Sequence, residues 1–136
     1  MKTIKISMLA LAALFMSFSP IHQSSASLNV SSVAKTASIK WKQVEIDLGE
    51  ITQNKPVTVE FEFTNTGELP LVISGVQASC GCTSTNFSKT PVLPGETSKV
   101  SAIYNAASKG SFKKTVTVTT NAEEAVKVLT LMGSVI

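Results

Sequence analysis

Arginine is absent from this chain, and its only histidine, His22, stands close to the N-terminus. Without arginine the chain lacks the usual bidentate reader of phosphate and carboxylate groups. If His22 is lost with a leader, the remaining protein also lacks the commonest general base near neutral pH and the commonest metal ligand. Ser-His-Asp and Cys-His arrangements are then excluded, whereas carboxylate or lysine chemistry stays formally open. Cysteine is equally scarce, with only Cys80 and Cys82. Six aromatics remain beyond the N-terminal segment: Trp41, Phe61, Phe63, Phe87, Tyr104 and Phe112. Alternation commits most of them to a core, which argues against a sugar-stacking face and leaves Trp41 as its sole candidate.

What is present begins with MKTIKISMLALAALFMSFSPIHQSSAS. Lys2 and Lys5 give a basic start, Met8 to Phe18 an apolar stretch, and Ser24-Ser25-Ala26 the small-x-small pattern of a cleavage site. Only 16 uncharged residues separate Lys5 from His22, against roughly 20 for a spanning helix. Residues 1–26 therefore read as a signal peptide, with the mature chain starting near Ser27. No stable membrane insertion is expected after cleavage, and the location is periplasmic or secreted. Two of the 12 lysines leave with the leader, so 10 lysines face 9 acidic residues and the net charge is +1 (10 − 9). Nothing clusters positive charge as nucleic-acid binding requires, so no nucleic acid is expected as a partner.

Residues 27–40, rich in Ser, Ala and Lys and without a period, read as a flexible tether. From Trp41 the texture changes to short alternating runs between turn signals, and residues 41–136 suffice for one small domain. Val57, Val59, Phe61 and Phe63 alternate with Thr58, Glu60, Glu62 and Thr64, as in a strand with one wet face. Val44 to Leu48 alternates likewise and stops at Gly49. Leu71 to Val76 follows Pro70 as a third strand. Leu93-Pro94-Gly95-Glu96 suits a type II turn. Val100, Ala102 and Tyr104 share one face of the next strand, and Phe112, Val116 and Val118 one face of another. Ala125 to Val135 is the last, with apolar residues on both parities, which leaves its buried face undecided. About seven short strands and no helical period predict an all-β fold, an antiparallel β-sandwich, with an up-and-down barrel second.

Cys80 and Cys82 flank a single glycine. On an extended strand both thiols would share a face with Cα atoms roughly 6.5 Å apart, at the limit for a disulfide. A kink at Gly81 would close the bond, and a tight bond of this kind is the more reducible. Four readings stay open. The thiols pack beside a turn or form a passive disulfide; they serve a protein partner or redox exchange; or they capture a soft metal, Cu(I) or Zn. Against structural zinc, two ligands are too few. Against a reactive thiol, Lys89 is the only cation near in sequence. The fourth is chemistry of some other kind.

Several ordered motifs carry a resemblance. Phe61-x-Phe63 with Asn65-x-Gly67, Pro70-Leu71, Cys80-Gly81-Cys82-Thr83, Pro94-Gly95, Tyr104 and Gly110-x-Phe112-Lys113-Lys114 follow one another as in the secreted bacterial proteins grouped as DUF family 1573, common in Bacteroidota. The resemblance covers Trp41 to Val135. It implies an immunoglobulin-like β-sandwich and export, and no established activity comes with it. A proline often follows Cys-Gly-Cys-Thr in such proteins; here Ser84-Thr85-Asn86 stands there instead, which leaves that backbone less fixed. The leading expectation is an exported, non-enzymatic module without cofactor that binds a protein partner in the cell envelope. The simplest mode is pairing along an edge strand, with Lys113, Lys114 and Lys127 as possible guards against it. The alternative is thiol redox exchange or copper binding at Cys80 and Cys82.

Overall fold

The computed structural model describes residues 35–136. The signal-peptide reading and the start of the tether lie outside them. Among the described residues, eight strands form two four-stranded sheets. They are β1 (Ile39–Trp41), β2 (Glu45–Ile51), β3 (Val57–Asn65), β4 (Ile73–Ala78), β5 (Thr83–Phe87), β6 (Thr97–Tyr104), β7 (Gly110–Thr120) and β8 (Val126–Val135). One sheet has the order β1-β3-β6-β5 and the other β2-β8-β7-β4.

The core follows from the alternation of the longer strands. Val59, Phe61 and Phe63 point inward from β3, and Val100, Ala102 and Tyr104 from β6, with Phe61 opposite Val100. The other sheet contributes Phe112, Val116 and Val118 from β7 and Leu129, Leu131 and Val135 from β8. Burying a side chain such as Phe61 contributes about 1.5–3 kcal/mol before chain entropy is counted. Between the layers, the Tyr104 and Phe112 rings stack with centroids 4.2 Å apart. The architecture is the immunoglobulin-like β-sandwich, with eight strands where about seven were expected.

The ladders are not all antiparallel. β2 runs parallel to β8, with a register shift between Asp47 and Glu50. Gly49 sits in that bulge at φ +62°, and its N–H donates to the Asp47 carboxylate at 2.8 Å. The glycine expected to end the strand therefore bends it, and pairing resumes at Glu50 and Ile51.

β1 corrects the expected tether. Ala37 is 3% exposed, and Ile39 to Trp41 pair with Asn65 to Phe63. The Glu68 and Thr66 amides donate to the Thr36 and Ser38 carbonyls at 3.0 and 2.9 Å. Gly67 makes this docking possible, because a side chain there would run into the Thr36 and Ser38 backbone. Trp41 packs tilted against Phe63, centroids 5.0 Å apart.

The structure settles three further points. The strand expected over Leu71–Val76 starts at Ile73, while Leu71 forms an isolated bridge with Val92. In β8 the odd positions face inward, and Val126 and Val128 stand 52% and 50% exposed. Lys113, Lys114 and Lys127 lie on β7 and β8, interior strands of their sheet, so they guard no edge.

Candidate functional site

β4 and β5 are consecutive in the chain but close different sheets, so the turn between them crosses one flank of the sandwich. That turn holds Cys80-Gly81-Cys82. The structure joins the two cysteines as a disulfide, with Cα atoms 5.3 Å apart. A turn at Gly81 shortens the extended spacing, and the Thr83 amide closes it on the Cys80 carbonyl at 3.3 Å. The Asn105 amide holds the Cys82 carbonyl at 3.0 Å, fixing the turn to the end of β6. Both cysteines are half-buried, and Cys82 packs against the core. In this form neither sulfur is the thiolate that a soft metal requires.

Thr83 is the residue beside the pair that spacing alone does not single out. Its side chain is buried at the start of β5, and its hydroxyl lies 3.9 Å from the Cys80 sulfur and 4.0 Å from that of Cys82.

The flank around the turn is unusual in its charge. From Leu69 to Ser88, between Glu68 and Lys89, no residue is ionisable except the paired cysteines. This stretch contains both β4 and β5, each unpaired along one side. The Cys82 carbonyl points at β6, so by alternation Thr85 and Phe87 direct their backbone groups outward from β5, as does Thr83, whose amide is taken by the Cys80 carbonyl. The Ser79 amide points at β7, so Val76 and Ala78 do the same from β4. Edge strands are ordinarily blunted by charge, lysine above all. The opposite flank obeys that rule, with Lys40 on β1 and Glu45, Asp47 and Glu50 on β2. The signal for this asymmetry was in the sequence as an uncharged run, but only the strand order makes it an edge.

Elsewhere the surface offers little chemistry. A wide open groove of about 570 Å³ lies over the β2 bulge, lined by Asp47, Glu50, Ser111, Lys113, Met132 and Ser134 among others. Among the described residues, no three His, Cys, Asp or Glu side chains converge as a metal site. Lys42 and Glu62 pair at 2.7 Å, and this hydrogen bond and the attraction of the charges hold the Glu62 carboxyl below its usual range and the Lys42 ammonium above its own. Both are open to solvent, so the pair is a surface ion pair and not a tuned acid or base.

The family described as "Protein of unknown function (DUF1573)" matches residues 39–135. No curated protein matches the sequence. Among solved structures, the chain is similar to a protein of unknown function from Porphyromonas gingivalis W83, with a TM-score of 0.65 and 15% identity over 74% of this chain and 48% of that one. It is similar to the ASH / PapD-like domain 7 of human CEP192, with a TM-score of 0.58 and 12% identity over 74% of this chain and 87% of that one. It also resembles part of the secreted serine protease VesC from Vibrio cholerae, with a TM-score of 0.56 and 16% identity over 72% of this chain and 23% of that one. The chain thus spans about half the length of the Porphyromonas structure and about a quarter of the protease. At these identities the likeness concerns the fold.

Proposed function

The chain belongs to the DUF1573 family, and from that premise we propose that it is an exported, non-enzymatic module that binds another protein in the cell envelope. The observation that carries the reading is the uncharged flank, where two neighbouring edge strands lack the charges that guard β1 and β2. Unpaired backbone groups along an edge accept an extended segment of a partner, and alternate side chains supply specificity. The basic start, apolar stretch and Ser24-Ser25-Ala26 of the N-terminus support export. A chain without arginine, and without histidine beyond residue 22, supports a binding role over a catalytic one.

Gln77 and Asn86 are exposed on β4 and β5, and neither side chain makes a hydrogen bond in the structure. Replacing both with lysine restores a guarded edge at a stability change within about 0.5 kcal/mol. Photo-crosslinking in cells from position 84, exposed on β5, is expected to give a discrete protein adduct, lost in the Gln77→Lys/Asn86→Lys variant and not seen from position 47. An adduct that survives both lysines, or none from position 84, sinks the reading. The intact mass of the exported protein is expected to match a chain that starts near Ser27.

A further inference from the structure

The disulfide does not serve the fold in the way that most exported disulfides do. It bridges residues two apart on one turn and ties neither sheet to the other. A loop this short removes little chain entropy from the unfolded state. Beside it, Thr83 is 5% exposed, yet among the described residues the only partners of its hydroxyl are the two bonded sulfurs, both near the outer limit of sulfur hydrogen bonding. A disulfide sulfur is a weak acceptor, so a buried hydroxyl gains little from it. A thiolate is a strong one, and a hydrogen bond to the charged form favours that form. The hydroxyl is therefore better satisfied when the bond is open than when it is closed.

From this we propose that Cys80 and Cys82 are a dithiol–disulfide exchange site, with Thr83 positioned to stabilise the departing thiolate. Cys82 packs against the core, so the Cys80 sulfur is the one that an incoming thiolate meets. A thiolate of a partner dithiol attacks Cys80 Sγ, the bond between the two cysteines breaks, and its electron pair leaves on Cys82 Sγ. The Thr83 hydroxyl donates to that sulfur until a proton arrives from solvent. The partner's second thiol loses its proton and attacks the mixed disulfide. The partner leaves oxidised, and Cys80 is released as a thiolate that solvent protonates. The chain gains two electrons and two protons, the partner loses the same, and the co-reactant is a dithiol. The proposal stands apart from the edge-strand reading, because it needs the turn alone.

The test uses the folded, oxidised domain with dithiothreitol as the dithiol probe and glutathione as the monothiol control. Reduction is followed by alkylation and intact mass, and the fold by circular dichroism. Dithiothreitol is expected to reduce the pair fully with the β spectrum unchanged, whereas glutathione stalls at a mixed disulfide that peptide mapping places on Cys80. Thr83→Val, similar in size, is expected to slow reduction about fivefold and to raise the pH at which the reduced thiols become alkylated. Thr83→Ser restores both. Reduction only in denaturant overturns the proposal without recourse to any variant. A folded Thr83→Val protein that matches the wild type in both rate and pH dependence overturns the role of Thr83.

Discussion

Asn65→Ala is expected to destabilise the domain by about 2–3 kcal/mol. Asn65 closes β3 with its side chain 0% exposed. Its Nδ2 donates to the Leu69 carbonyl at 2.8 Å and to the Val92 carbonyl at 2.9 Å, and its Oδ1 accepts from the Gly67 amide at 3.0 Å. Its own backbone pairs with Glu96 and Gly95. One side chain thus joins the strand end, the turn after it and the Pro94-Gly95 turn. Truncation takes one of two donors from the Val92 carbonyl, which keeps the Leu71 amide, and removes the side-chain partner of the part-buried Leu69 carbonyl and Gly67 amide. Asn65→Asp separates geometry from charge, since it keeps the shape while aiming an oxygen at two carbonyls. Burial raises the carboxyl's pKa in the folded state above its unfolded value, so the folded protein holds the proton more tightly. Such a group favours the fold below the unfolded value, and that benefit disappears as pH rises through the folded one. The Asp variant is accordingly expected to lose more stability at pH 7 than at pH 4. Urea titrations followed by Trp41 fluorescence, with midpoint and slope compared, measure both.

The second large effect is expected at Gly133, where valine is predicted to cost about 1–3 kcal/mol or more through overpacking. Gly133 occupies an inward position of β8 directly opposite Phe112. A Cβ there would stand 2.7 Å from the Gly49 carbonyl oxygen and 3.0 Å from the Phe112 ring. The ring cannot withdraw freely, because its other face stacks on Tyr104. The carbonyl belongs to the β2 bulge, so moving it disturbs the parallel ladder. A cycle combining Gly133→Ala with Phe112→Leu divides the two causes. Leucine is expected to recover the part of the loss due to the ring and to leave the part due to Gly49. Complete additivity of the two changes would show that the ring is not the obstacle.

Much of the framework was legible because its strands carry strict alternation. β3, β6 and β7 were placed from Val59-Phe61-Phe63, Val100-Ala102-Tyr104 and Phe112-Val116-Val118, and all of these are buried. The Leu93–Glu96 turn was equally plain, with Gly95 at φ +82° and the Glu96 amide on the Leu93 carbonyl. β5 escaped because Thr83 and Thr85 take inward positions where an apolar residue is the usual signal. β1 escaped because three residues in a polar stretch carry no period. The face of β8 was ambiguous because Val126 and Val128 add outward apolar groups at its exposed start. The parallel pairing of β2 with β8 leaves no mark in the sequence, since an alternating strand reads the same in either direction. At the site, the spacing of Cys80 and Cys82 left a bond and a free pair equally open. In the sequence Asn65 stood out only within the Asn65-x-Gly67 motif, and the packing reveals how many segments depend on it.

The parallel ladder has a mechanical corollary. β2 enters the sandwich near the start of the described chain and β8 leaves at its end, and the two lie side by side, pointing the same way. A load applied between the start of β2 and the end of β8 pulls these neighbours in opposite directions along their length. Their hydrogen bonds are then loaded together in shear and do not peel open one by one, as they would in an antiparallel pair pulled from one end.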